Sequence, residues 1–200
     1  MSSELKTNKV SPATGTALQI GDSGDTITIP SGATLTNSGT ATGFGGDNTP
    51  SFFARGSGTQ AIADQTWTKL PSSKSWTKVT LDTENWDTDS AFASDKFTVP
   101  SGEGGKYQFT YGGCMSELDD GEYYQFVLYK NGSEWSGGNL LGKIQDRMTG
   151  TNLGTSMNGS VAITLAATDY VELYVYHTEG GTNNLLNNQC YFQGWKLIGV

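Results

Sequence analysis

Gln189-Cys190-Tyr191-Phe192-Gln193-Gly194-Trp195-Lys196-Leu197-Ile198-Gly199-Val200 closes the chain, and its pattern decides the fold. Side chains of a strand alternate between its faces. One face here carries Tyr191, Trp195 and Leu197, and the other carries Phe192 and Ile198. A surface strand of an antiparallel sheet ordinarily keeps one wet face. Two dry faces imply a sheet covered on both sides. One cover is a second sheet of the same domain. No ten-residue stretch of the chain shows helical periodicity, so the other cover is a neighbouring copy of the chain. The competing reading is a central sandwich strand with an aromatic on its outer rim. Both readings are all-β.

Working backwards from this strand to Pro50, aromatic and β-branched runs alternate with turn signals at the spacing of a sandwich or barrel. Strands are expected at Ser51 to Arg55, Trp67 to Leu70, Trp76 to Leu81 and Lys96 to Val99. From Lys106 to Tyr111, Tyr107, Phe109 and Tyr111 share one side, and Lys106, Gln108 and Thr110 the other. Tyr124 to Tyr129 runs into Lys130-Asn131-Gly132-Ser133, a hairpin signal, because both central residues of a type I′ turn need positive φ. Asn158-Gly159 is read the same way. A strand is expected near Leu140 to Ile144 within a long polar stretch. Val161, Ile163 and Leu165 face one way, Ala166 to Asp169 turn the chain, and Val171, Leu173 and Val175 continue on the far side.

Residues 1 to 50 differ. Thr, Ser, Gly and Asn dominate, without Trp or Tyr. Apolar residues come as sparse pairs, Leu18 with Ile20 and Ile27 with Ile29, then Leu35, separated by turn signals. Strands this sparse cannot offset a conformational entropy of roughly 1–2 kcal/mol per residue within one chain. The segment either stays disordered or wraps with copies of itself into a fibrous β structure. Apolar residues at alternate positions with low charge favour the second. The expected division is a stalk over 1–50 and a head over 51–200.

Composition narrows the function. The chain has 200 residues, 27 of them Gly, and a formal net charge of −8 with only 12 basic residues. Nucleic-acid binding needs clustered Lys and Arg, and none occurs, so no nucleic-acid partner is expected. No apolar run approaches the ~20 residues of a membrane span. The polar start, Met1 to Val10, has no signal-peptide core. Cys114 and Cys190 are too few for a disulfide scaffold and read as two small semi-buried residues. A cytoplasmic product that assembles into something larger fits best.

Four pieces in order resemble the globular head of complement component 1q and its tumour-necrosis-factor-like relatives. They are Phe97-Thr98-Val99-Pro100 with Gly105-Lys106-Tyr107-Gln108-Phe109-Thr110-Tyr111; Val127-Leu128-Tyr129-Lys130-Asn131-Gly132; Gly159 to Leu165 with Asp169-Tyr170-Val171-Glu172-Leu173; and Phe192-Gln193-Gly194-Trp195-Lys196-Leu197. The resemblance implies an antiparallel jelly-roll sandwich that packs as a homotrimer, with the terminal strands of the head facing the threefold axis. Tyr191, Trp195 and Leu197 would then lie in the trimer interface. It also implies that the strands of Cys114 and Cys190 are neighbours in the inner sheet, and leaves open whether the two sulfurs bond. The insertion Ser101-Gly102-Glu103-Gly104 and the stretch Asn139 to Asn158 depart from the family pattern. Leu5 to Pro12, Gly21 to Pro30 and Asn37 to Phe44 are similar to N-terminal repeats of marine-bacteriophage fibre proteins.

Catalysis is not expected. A base and a nucleophile must lie within reach of each other, His177 is the sole histidine and reads as an edge or loop residue, and no nucleophile elbow, P-loop or zinc motif occurs. Asp82, Glu84, Asp87 and Asp89 place carboxylates at short spacing in an expected acidic loop. Calcium takes about six to eight oxygens, and the loop lacks the Gly of an EF-hand turn. The expectation is no cofactor, with calcium the one ion the loop could take; Asp119, Asp120 and Glu122 are a weaker acidic group. The loop from Glu179 through Asn183 and Asn184, and the Asn139-to-Asn158 stretch, are the expected recognition loops. Their Asn side chains can hydrogen-bond sugar hydroxyls.

The reading is a virion structural protein of a bacteriophage, made in the host cytoplasm and exposed on the particle. Its N-terminus would bind other virion proteins, and its head a host surface glycan or outer-membrane protein. The alternatives are a capsid or tail decoration protein without a receptor role, and a cellular lectin-like module.

Overall fold

The computed structural model describes residues 9–38, 48–63, 76–134, 143–147 and 153–198. The chain divides into two compact units, Met1–Phe44 and Gly45–Val200. In the second unit thirteen strands run in order: β1 (Ser51–Arg55), β2 (Gln60–Ile62), β3 (Thr77–Lys78), β4 (Thr83–Asp87), β5 (Lys96–Thr98), β6 (Gly105–Leu118), β7 (Tyr123–Lys130), β8 (Ser133–Glu134), β9 (Lys143–Arg147), β10 (Leu153–Leu165), β11 (Tyr170–His177), β12 (Asn183–Leu185) and β13 (Tyr191–Lys196). Among the described residues the helical content is a single 3-10 turn at Asn187–Gln189.

All strand pairs are antiparallel. In the first sheet β13 lies between β6 and β1, β4 closes one edge beside β1, and β10 closes the other beside β6. Beyond the end of β13, β12 takes its place against β6 and carries β2. The second sheet centres on β11, with β3 and β5 along one side and β7 on the other; β8 and β9 lie outside β7. The chain crosses from β5 to β6, from β6 to β7, from β9 to β10 and from β10 to β11, changing sheets each time. That alternation is a jelly roll.

The period-2 pattern sets the core. Tyr107, Phe109 and Tyr111 of β6 are fully buried, as are Phe52 of β1 and Phe192 of β13. Val171, Leu173 and Val175 of β11 meet them from the second sheet. Phe52 stacks on Phe97 at 4.9 Å between ring centroids and meets Phe192 edge-on at 4.9 Å. Each such ring contributes about 1.5–3 kcal/mol by leaving water. Gly194 fits between them because a Cβ there would lie 2.5 Å from the Phe109 ring.

The hairpin at Asn131-Gly132 forms as its composition demands, with φ of +52° and +77°. Asn131 also ties it down. Its Nδ2 donates to Asp169 Oδ1 at 2.7 Å, and its Oδ1 accepts from Tyr170 N–H at 2.9 Å. The Asn131 amide, Lys130 at 2.8 Å and the Ala166 N–H bring the Asp169 carboxyl down to about 2.

Several expectations are corrected. The acidic stretch is not only loop, since Thr83–Asp87 pairs with β1 as an edge strand. Asn158-Gly159 is not a turn but lies inside β10, opposite Gly112 and Tyr111. The Asn139-to-Asn158 stretch is strand where it is described, at Lys143–Arg147 and from Leu153 onward. Ile198 is not a core residue: the strand ends at Lys196 and Ile198 is 45% exposed. The strand expected at Trp67 to Leu70 lies outside the described residues.

In the N-terminal unit, residues 9–38 contain turns but no strand. One turn closes with Asp25 N–H donating to Asp22 O at 3.0 Å and Asp22 N–H donating to Asp25 Oδ2 at 2.7 Å. Gln19 Nε2 adds bonds to Gly21 O and Asp22 Oδ1, each 2.9 Å. A second turn closes from Ala33 N–H to Pro30 O at 3.0 Å. Among the described residues the paired apolar positions have no ladder partner.

Candidate functional site

Alternation sends Phe53 of β1 and Tyr191, Gln193 and Trp195 of β13 to the outside of the first sheet, away from the buried Phe52 and Phe192. Registry makes them neighbours. Phe53 lies opposite Gln193, and Trp195 lies between Ser51 and Gln108. Trp86 of β4 lies opposite Phe53, with ring centroids 5.0 Å apart, and Tyr191 approaches Phe53 from the other side at 6.5 Å. Trp86 remains 50% exposed. Tyr191 and Trp195 are half-buried, and burial pushes the Tyr191 phenol up. Leu197 follows the strand end, half-buried, its N–H donating to Lys106 O at 2.8 Å. An aromatic row thus lies across three strands on a face outside the sandwich.

The sequence singles out Tyr191 and Trp195 of this row, and Leu197 beyond the strand end, but not Phe53 or Trp86. The Phe52-Phe53 pair held the signal, because adjacent strand residues point to opposite faces. Trp86 was hidden by its acidic neighbours.

At one end of the head the structure gives the expected recognition residues different surroundings. Asn183 is buried, with Nδ2 donating to Glu117 O at 3.0 Å and Oδ1 accepting from Ser116 Oγ at 2.9 Å. It belongs to β12, not to a loop, and its polar atoms tie β12 to β6. Glu179 Oε2 accepts from Asp119 N–H at 2.9 Å. Asn184 is exposed. His177 is not an edge residue. It is fully buried: Glu179 N–H donates to its Nδ1 at 3.2 Å, so its Nε2 carries the proton and donates to Ile62 O at 2.8 Å. This ring ties β11 of one sheet to β2 of the other.

The acidic stretch uses its carboxylates on its own chain. Asp87 accepts from the N–H groups of Ala91 and Phe92, at 2.9 and 3.0 Å. Asp82 accepts from Ser57 Oγ at 2.6 Å, which holds its carboxyl below the usual range. Glu84 is exposed on β4. Among the described residues no three metal-ligating side chains converge.

Cys114 and Cys190 are both buried and free. The registry that sets Tyr191 opposite Gly112 brings Cys190 to the level of Gly113, next to Cys114. Cys190 belongs to the core between the sheets and Cys114 does not, so the sulfurs sit on opposite sides of the sheet. Burial raises the Cys190 thiol to about 12, which makes it inert.

Among solved structures, the chain is similar to the globular domain of zebrafish complement 1qA protein. That match has 16% identity and a TM-score of 0.47, covering 74% of this chain and 97% of that one. It is also similar to the Eiger TNF from S. frugiperda, with 15% identity and a TM-score of 0.45, covering 74% of this chain and 91% of that one. No family model matches, and no curated protein matches.

No helix among the described residues is long and apolar enough to cross a membrane.

Proposed function

We propose that the protein is a virion structural protein of a bacteriophage, a homotrimeric fibre or spike whose jelly-roll head binds the host surface. The observation that carries the reading is the aromatic row Trp86–Phe53–Tyr191 with Trp195, left outside a sandwich whose core is already filled. Neighbouring aromatic rings outside a filled core mark an interaction site, and aromatic residues are enriched in interface cores. Three copies around a threefold axis cover that row and place three equal ends of the head side by side. Their mechanism is multivalent binding, in which each further site engages at high effective concentration. The resemblance of residues 5–44 to phage fibre repeats supports attachment to other virion proteins through the N-terminus. The resemblance of the head strands supports the trimer. The exposed Asn184 and the turn 179–182 belong to the surface that meets a glycan or outer-membrane protein. The protein carries out no catalysis, in keeping with its one histidine being locked in the interior.

Two measurements test this. Sedimentation at micromolar concentration should give three chains per particle, and Trp195→Glu should give a folded monomer. Purified protein added to host cells should block adsorption of the particles that carry it. A monomeric parent chain would remove the trimer. Undiminished adsorption by particles that carry the protein would leave a decoration role, and absence from every particle would favour a cellular lectin-like module.

A further inference from the structure

Six of the eight large apolar side chains that stay exposed among the described residues lie in one short segment: Val10, Leu18, Ile20, Ile27, Ile29 and Leu35, at 45–66% exposure. Soluble surfaces carry single exposed apolar residues without consequence, but these recur within one stretch. Leu18 and Ile20, and Ile27 and Ile29, alternate with polar residues, so in extended chain each pair shares one face. Among the described residues these pieces have no ladder partner, so their N–H and C=O groups are left to water as their apolar side chains are. A partner that satisfies both needs must itself be a strand.

The corner between the first two pieces is preset. Every bond that closes it comes from residues 19 to 25: Gln19 to Gly21 and Asp22, Asp22 to Asp25, and Asp25 to Asp22. It consumes none of the backbone of Ile27 to Ile29. Residues 17–36 carry Asp22 and Asp25 and no other charge, in a chain of net charge −8. Identical segments therefore come together with little of the repulsion that the whole chain would carry. The same chain also presents a second uncovered apolar face, the aromatic row of the head. One kind of partner, a further copy of the chain, covers both.

We propose that residues 17–36 form interchain β pairing with the same residues of the other copies, parallel and in register, with Leu18, Ile20, Ile27, Ile29 and Leu35 facing the axis. This rests on the trimeric reading of the head and deepens it. Rotational symmetry sets each residue against its own counterpart, which is parallel in-register pairing. The Asp22–Asp25 corner then acts as the bend between two blades and the Pro30–Ala33 turn as the next. A head trimer brings the segments to high effective concentration, which offsets the loop-closure entropy of pairing them.

The test uses the full chain with one cysteine added, since Cys114 and Cys190 are buried. Ile27→Cys places a thiol on the proposed axial face, and Thr28→Cys places one a single residue away on the opposite face. Mild oxidation should link Ile27→Cys into covalent pairs of chains at least tenfold faster than Thr28→Cys. Hydrogen exchange should show the amides of 26–29 protected in the parent. Sedimentation of the same samples reads the head separately. A trimer in which the two cysteines link equally slowly and the amides exchange freely overturns the pairing and spares the head interface. Trimeric mass with selective linking of Ile27→Cys supports it. A monomer without linking overturns both.

Discussion

The head and the N-terminal segment use the same alphabet of alternating apolar residues and reach opposite states. In β6, Tyr107, Phe109 and Tyr111 alternate with Lys106, Gln108 and Thr110, and the apolar set is fully buried. In the N-terminal unit, Ile27 and Ile29 alternate with Thr26 and Thr28, and the apolar set stays at 61% and 49% exposure. The difference lies in what faces each pattern. β6 has β10 along one edge, β13 along the other, and the second sheet across the core. The Ile27–Ile29 piece has two short turns at its ends and, among the described residues, no layer above it. Alternation sets which side chains share a face; burial requires a second surface, and a segment of paired Ile and Thr cannot supply one from within itself.

The largest effect that separates the regions comes from truncating one ring in each. Phe109→Ala empties a site bounded by Phe97 and Phe192, with ring centroids at 5.6 Å on both sides. The loss should be about 3–5 kcal/mol in denaturant unfolding. Ile29→Ala should leave the head transition in place to within about 0.5 kcal/mol. A comparable loss at both positions would show that the segment is packed into the same cooperative unit.

A smaller effect tests the fit of the core. Gly194→Ala adds a Cβ 2.5 Å from the Phe109 ring and 3.0 Å from Phe52. Overpacking of this kind costs about 1–3 kcal/mol. Gly24→Ala in the N-terminal unit meets nothing within 4 Å, and its cost comes only from a φ of +97°. Heat unfolding of the head should register the first change and not the second.

Much of the head could be read before its structure. Strict alternation at Lys106–Tyr111 and at Val161–Leu165, and the Asn131-Gly132 turn, each rest on local rules that tertiary context did not override. Three features were hidden. Thr83–Asp87 is a strand because β1 offers it an edge, although its residues carry acidic turn chemistry. Asn183 looked like a loop ligand because burial is a property of what surrounds it, here Ser116 and Glu117. His177 looked peripheral because its partner, Ile62, lies 115 positions away. Long-range pairing sets all three, and a single chain of letters does not record it. The aromatic row was half legible: Tyr191 and Trp195 came from the final strand, while Phe53 and Trp86 needed the registry of β1 with β4.

A further step down in size concerns acid. The Asp169 carboxyl, brought to about 2 by Asn131, Lys130 and the Ala166 N–H, binds its proton less readily folded than unfolded. Its contribution is therefore complete above about pH 4 and disappears as pH falls toward 2. Asp169→Ala should cost about 1 kcal/mol at pH 7, a figure reduced by solvent screening. The gap between parent and variant should close below pH 3. A gap that persists at pH 2 would place the effect in packing and not in charge.

The smallest expected effect bears most directly on the separateness of the two regions. Asp25 Oδ2 accepts from the Asp22 N–H in an exposed turn of the N-terminal unit. Asp25→Ala removes that charged acceptor, and the Asp22 amide should exchange with solvent about fivefold faster, the equivalent of about 1 kcal/mol. Gln19 still bonds Gly21 and Asp22, so the corner loosens without being lost. The head contains none of these atoms, and its unfolding midpoint should not move, as expected for sites without shared partners. If the segment pairs between copies, the loosened corner should also slow the linking of Ile27→Cys, because the bend sets where the second blade meets its counterparts. A shifted head midpoint would mean that the two units unfold as one. An unchanged linking rate would mean that the corner is only a surface turn.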